Sequence, residues 1–309
     1  MSYKKYIFSL FLILTVFFSC RKENKVVIDN NNAPYYDKIP RVKVENYVNR
    51  LYIDLIGREP FDDELKSDVD NLMENSLSSA VRENIILKLQ TDETHRLGDS
   101  SYRIAYHKQL YNLLCVRLCE GFTEYDFLSE AGLVSYAALL DSLNGNWASF
   151  YNNKRIVKEL KWAANARWDF MRDSIDFETY CIRLVNNDLT FNKTTSYMGN
   201  EDNTIKYTFD DFFFRPYTTS EFLVSRNMIL NGTTGILFGR SGHSKGDYFD
   251  IICHSREFYE GAVIWMYKLF TSRYPTTEER INAMNILNSE KDIIKIQRTI
   301  LKTDAYANF

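Results

Sequence analysis

Four residues beside a glycine-dense loop have the types and spacing that could do chemistry: His243, Asp247, Asp250 and His254. On a helix the last three share one face, and imidazole with carboxylate is a donor set for a divalent metal. Cys253 would add a softer ligand. The two aspartates equally suit a helix start after a loop, where carboxylates accept from free backbone amides. A complete metal-ligand spacing is missing.

The loop Gly239-Arg-Ser241-Gly-His243-Ser-Lys245-Gly246 matches no nucleotide or hydrolase signature. Lys245 follows Ser244 and precedes Gly246, whereas a phosphate-cradling loop needs Gly-Lys-Ser/Thr. A nucleophile elbow would need glycine at the position of His243. The segment reads as a flexible or ligand-facing surface turn. Cys253-His254 follows Asp250 rather than the cysteine that covalent haem attachment requires. The acidic pairs Asp62/Asp63, Asp210/Asp211 and Glu278/Glu279 are sequence neighbours, which cannot face each other across a cleft as glycosidase acids do. They read as capping and solvating groups. The aromatic run Tyr207 to Tyr217 reads as core rather than a sugar platform. With no catalytic set complete, the expectation is a non-enzymatic protein without a cofactor. An enzyme or redox accessory with a metal site near His243–His254 is the alternative.

The elements that would position these residues are helical. Only 12 Gly and 5 Pro in 309 residues disfavour a sandwich of short strands. A 45% hydrophobic, 15% aromatic composition supplies ample core. The fold class expected is mainly α: a multi-helix, bundle-like body with a small irregular or β-hairpin insertion around 176–215. Val48, Leu51, Tyr52, Leu55 and Ile56 recur at helical spacing, and residues 101–120, 125–142 and 147–172 also fit helices. The chain divides into a leader at 1–19, a flexible tether at 20–42 and an N-terminal helical region at 43–175. An irregular insertion and Gly-rich loop at 176–246 and a C-terminal helical region at 247–309 complete it. The 38 basic and 41 acidic residues give a net charge of −3 without a basic block, so nucleic acid is not an expected partner. Cys115, Cys119, Cys181 and Cys253 admit two disulfides in three connectivities, or four buried thiols.

The two ends repeat. Leu51-Tyr-Ile-Asp-Leu-Ile-Gly-Arg58-Glu-Pro60-Phe-Asp-Asp-Glu64 aligns with Met266-Tyr-Lys-Leu-Phe-Thr-Ser-Arg273-Tyr-Pro275-Thr-Thr-Glu-Glu279 at one constant offset. Leu89-Gln-Thr-Asp92 likewise answers Leu301-Lys-Thr-Asp304. Each copy is a helix, an Arg-x-Pro corner, an acidic helix start and a closing helix. Proline inside the second helix start would fix the interhelical angle. Arg58 and Arg273 can reach either carbonyls ending the preceding helix or the carboxylates of Glu64 and Glu279. Their expected role is structural. This corner resembles bacterial families of unknown function built on L-Y-x-x-L-x-G-R-x-P-x-x-x-E, in particular domains that accompany cytochrome c-like modules in planctomycete proteins. Ser255-Arg-Glu-Phe258 to Phe270 is similar to their helix leading into the corner, and Leu189-Thr-Phe-Asn192 to their Asn-rich middle. A repeat domain of bacterial surface proteins is a second resemblance. Both imply a helical exported protein and supply no catalytic residue.

At the start of the chain, Lys4 and Lys5 precede an apolar run from Ile7 to Phe18. That run is too short to span roughly 30 Å of hydrocarbon as a helix, so a cleaved export signal is expected. Phe18-Ser19-Cys20 resembles the lipobox of bacterial lipoproteins, which implies cleavage before Cys20 and acylation at that cysteine. Arg21 stands where inner-membrane retention signals carry Asp, which implies outer-membrane placement on the periplasmic face or cell surface. The resulting expectation is a lipid-anchored envelope protein, held to the membrane at Cys20, that binds a protein partner or supports assembly of an envelope complex.

Overall fold

The computed structural model describes residues 39–95, 100–191 and 202–309. The expected leader, the acylated Cys20, nearly all of the tether and the centre of the Asn-rich stretch lie outside them. The first helix, α1 (Arg41–Ile56), begins just inside the segment expected as tether. Val44, Tyr47, Val48, Leu51, Tyr52 and Leu55 form its buried stripe. Each such side chain taken from water stabilises the fold by about 1.5–3 kcal/mol. Gly57 ends the helix at φ 76°, its N–H bonded to the Ile53 carbonyl.

The expected acidic-start helix breaks into α2 (Asp62–Glu74) and α3 (Ser79–Thr91). Ser76 and Leu77 at positive φ turn the chain between them, and the Ser78 hydroxyl caps α3. Then come α4 (Tyr102–Leu118), α5 (Glu124–Leu143), α6 (Trp147–Met171) and α7 (Phe177–Val185). A helical segment α8 (Asp202–Thr208) runs directly into a π-helical turn, Phe209–Phe213. The remainder is α9 (Thr219–Asn231), strands β1 (Gly235–Leu237) and β2 (Arg240–Gly242), α10 (Lys245–Cys253), α11 (Arg256–Thr271), α12 (Thr277–Glu290), α13 (Ile293–Leu301) and α14 (Asp304–Ala307).

The mainly α class is what the structure shows, with one two-stranded antiparallel hairpin. That hairpin sits downstream of the stretch expected to hold it. The described part of 176–215 is largely helical because Phe177, Tyr180, Cys181 and Leu184 follow a three- and four-residue period and are all buried. The strands are instead the glycine-dense loop, paired Gly235 with Gly242, Ile236 with Ser241 and Leu237 with Arg240. Phe238 and Gly239, both at positive φ, form their two-residue turn.

The two chain ends share one core. Tyr47 donates to the Leu301 carbonyl at 3.2 Å, Tyr306 to Asp54 at 2.8 Å, and Tyr106 to Gln297 at 2.6 Å. Gln90 donates to Gln297 at 3.2 Å, joining α3 to α13. The repeated end segments therefore pack on each other, so each buries the apolar face that the other leaves open. No helix among the described residues is long and apolar enough to cross a membrane.

Candidate functional site

At the first corner, Arg58 Nη1 donates to Glu64 Oε2 at 2.8 Å and Nη2 to Oε1 at 3.0 Å. The Glu64 carboxylate also accepts from the Phe61 N–H at 2.8 Å, while Arg58 holds the Glu59 carbonyl at 2.8 Å. The corner of Arg273 and Glu279 repeats every bond, with the Thr276 N–H and the Tyr274 carbonyl in the corresponding roles. Arg58 and Arg273 thus bind the carboxylate and the next carbonyl. Pro60 and Pro275 stand before the N-cap residues Phe61 and Thr276 instead of inside the helices. There a fixed φ aims the extended approach to the cap.

A third copy was not read from the sequence. Arg215 grips Glu221 at 3.0 and 2.6 Å, Glu221 accepts from the Thr218 N–H at 2.7 Å, and Arg215 donates to the Pro216 carbonyl at 3.0 Å. The residue before each arginine is left-handed: Gly57, Phe214 and Ser272. The Arg215 copy is masked in the sequence because its proline directly follows the arginine. Its visible signal was an Arg six residues before a Glu, with Thr at the cap. In this copy the β hairpin fills the place that a short turn occupies in the other two.

Around the first corner a buried polar network extends inward. Tyr102 donates to Glu64 at 2.6 Å, Tyr52 to Asp68 at 2.9 Å, and Lys88 to Asp68 at 2.6 Å. Burial works against the Glu64 carboxylate, yet bonds from Arg58, Tyr102 and the Phe61 amide hold it down at about 2. At the Arg273 corner the arginine's bonds hold Glu279 at about 2. Near neutral pH these carboxylates are ionised structural clamps.

The four candidate metal ligands fall into two pairs. His243 lies 3.2 Å from Asp247, whose carboxylate accepts from the His243 and Ser244 amides and so caps α10. His254 lies 3.2 Å from Asp250, which is taken by Arg240 at 2.6 Å. Among the described residues no three His, Cys, Asp or Glu side chains form a group that could hold a metal ion. Cys115, Cys119, Cys181 and Cys253 are free and buried. Burial pushes the Cys119, Cys181 and Cys253 thiols well up, the reverse of what a nucleophile needs.

Phe209, Phe212 and Phe213 are buried, so the aromatic run is core. The π turn forms where the chain approaches α11 most closely. A Cβ at Gly261 would stand 1.6 Å from the Phe212 carbonyl oxygen. Two small adjoining cavities of about 20 Å³ each share Leu118, Asp211 and Phe212. Burial raises the Asp211 carboxyl to about 6 despite the Arg117 guanidinium.

Helix α5 carries a series of exposed large hydrophobic residues. It packs chiefly on α6 and buries only Phe127, Ala131 and Ala138. Tyr125, Leu133, Tyr136 and Leu143 are between 64% and 76% exposed. None of the exposed residues of α5 carries a charge. Its carboxylates sit half-buried on the flanks: Glu124 pairs with Arg167 at 2.7 Å, Asp126 caps through the Thr123 N–H at 2.8 Å, and Asp141 holds Ser149 at 2.6 Å. Because apolar residues surround this helix in sequence, periodicity alone reads it as interior. Only its position in the fold reveals an open face. No family model, curated protein or solved structure matches this chain.

Proposed function

We propose that the chain is a non-enzymatic, lipid-anchored envelope protein that binds a protein partner, or supports assembly of an envelope complex, through the outer face of α5. The observation that carries this reading is the charge-free exposed surface of that helix. Its exposed large side chains are Tyr125, Leu128, Leu133, Tyr136, Leu139, Leu140 and Leu143, and contiguous exposed apolar patches mark interaction sites. Such a surface is costly in water and marks a binding face.

The groups with chemical potential are otherwise engaged. Paired carboxylates clamp corners, Asp247 caps a helix, and the four cysteines are buried. Attachment at Cys20 and outer-membrane placement rest on Phe18-Ser19-Cys20 and Arg21. The resemblance of the Arg-x-Pro corner to exported helical families supports the same location.

The test is purification of the native chain from envelopes, with mass spectrometry of its N-terminal peptide and metal analysis. The expected product begins at acylated Cys20 and carries no stoichiometric metal. Zinc, iron or copper bound one to one, and lost in His254→Ala, would replace this reading with a metal-dependent one.

A further inference from the structure

We propose that the cleft between α6 and α7 is a carbohydrate-binding site, taking one uncharged pyranose against the indole of Trp162. It contains no residue of α5, so it stands or falls apart from the reading of that face.

Helical spacing builds the cleft. Thr179, Ile182, Arg183 and Asn186 recur at three- and four-residue steps along α7 and its C-cap, which sets them on one stripe, and each is half-buried. Glu159 and Trp162, three residues apart on α6, form the other wall. The cleft these six line holds about 240 Å³, just under the roughly 300–1,000 Å³ of pockets for drug-sized ligands. The cavities beside Phe212, at about 20 Å³, are water-sized by comparison.

The walls keep unused binding capacity. Trp162 is 44% exposed, and its electron-rich face already attracts cations: Lys158 Nζ stands 4.4 Å and the Arg183 guanidinium carbon 5.6 Å from the ring centroid. Lys158 is exposed and has no ion pair among the described residues, so it swings aside at little cost. Arg183 gives Nη1 to Asp169 at 2.6 Å, which fixes the guanidinium, while its other nitrogens carry no hydrogen bond among the described residues. The Asn186 side-chain amide likewise makes none there, its backbone N–H alone donating to Ile182 at 2.8 Å. Glu159 is held by Arg155 at 2.6 and 2.7 Å and retains spare lone pairs.

This set selects the ligand by chemistry. Arg183 only donates, Glu159 accepts and Asn186 does both, so a complementary ligand must both donate and accept around its rim. Hydroxyl groups do so. A carboxylate only accepts and would be repelled by Glu159, and an ammonium only donates and would be repelled by Arg183. The C–H groups on one face of a pyranose carry partial positive charge, which suits the negative face of the indole.

Saturation-transfer NMR on the full chain in detergent tests the site, with glucose, galactose, mannose and N-acetylglucosamine as probes and adenosine as the flat aromatic competitor. At least one sugar should bind with a Kd on the order of 1 mM or tighter, with the strongest transfer to its ring C–H protons. Trp162→Ala, at an exposed position, should keep the parent's thermal melt and weaken that binding roughly tenfold, about 1.4 kcal/mol. Trp162→Tyr should recover part of the loss. Arg183→Lys keeps a charge for Asp169 but removes the planar fork, and it should weaken binding by a similar factor. Absence of transfer to all four sugars overturns the proposal, as does sugar binding that both Trp162→Ala and Arg183→Lys leave unaltered. Adenosine bound roughly tenfold tighter than every sugar, and lost in Trp162→Ala, also overturns it by making the cleft a site for an aromatic base.

Discussion

Arg58 and Glu64 lie six residues apart and meet through two parallel hydrogen bonds of 2.8 and 3.0 Å. The same relation recurs at Arg215–Glu221 and Arg273–Glu279. What differs is depth: the Glu64 side chain is 2% exposed and that of Glu279 is 26%. Replacing Glu64 by Gln leaves the Arg58 charge without its counter-ion beside a buried network, a change that costs about 3–5 kcal/mol when a buried pair is broken. Glu279→Gln should cost about 1 kcal/mol, nearer the range of exposed pairs. Urea midpoints of the two variants measure the difference, and equal losses would contradict this ordering.

Acid should unfold the protein through the same residues. Both Glu64 and Glu279 are held at about 2 in the folded chain, below their ordinary value of 4.5. The unfolded chain therefore takes up protons first, and the stability the clamps supply is present above pH 4.5 and lost as pH falls through 4.5 toward 2. Asp211 acts oppositely: with its carboxyl raised to about 6, its contribution is full below its ordinary value of 3.8 and fades as pH rises to about 6. Asp211→Asn should make stability less dependent on pH between about 4 and 6, whereas Glu279→Gln should flatten the curve below 4.5. Denaturation followed at a series of pH values separates the two.

Gly261→Ala should be the most damaging single methyl in the molecule. Its Cβ would overlap the Phe212 carbonyl at 1.6 Å, and backbone cannot rotate away as a flexible side chain can. A loss above about 4 kcal/mol, or failure to fold, is expected from such a clash. Gly246→Ala, whose Cβ on α10 would meet only ordinary contacts at 3.6 and 3.8 Å, is the matched control and should change stability by no more than about 1 kcal/mol. Circular dichroism during thermal melting reads both.

The four cysteines should be inert until the chain opens. In the native protein a thiol reagent should label none of Cys115, Cys119, Cys181 and Cys253, since all are buried as free thiols. In denaturant all four should react without prior reduction. A need for reductant would reveal a disulfide and contradict the free-thiol arrangement.

Much of the helical framework was legible because its signals are local. The buried stripe of α1, the boundaries of α4 to α6 and the corners at Arg58 and Arg273 follow from periodicity, glycine and proline. The described part of 176–215, expected as an irregular or hairpin insertion, is largely helical because Tyr180, Phe209 and Phe213 carry strand-favouring side chains at helical spacing, and packing decided in favour of helix. The corner at Arg215 was hidden by a one-residue shift of its proline. The pairing of His243 with Asp247 and of His254 with Asp250 is an i, i+4 relation that sequence does suggest. That Arg240 claims Asp250 depends on where the hairpin folds back, which no local pattern encodes. The open face of α5 was equally out of reach, because the same residues would serve a buried helix.

The most direct measurement is maleimide labelling of Leu139→Cys in native envelopes, compared with Ser67→Cys on the exposed side of α2. The α5 face is predicted to be covered in place, so Leu139→Cys should label at least tenfold more slowly than Ser67→Cys and catch up when Tyr136→Glu is added. Equal labelling of the two positions in untreated envelopes would show α5 bare and contradict the account.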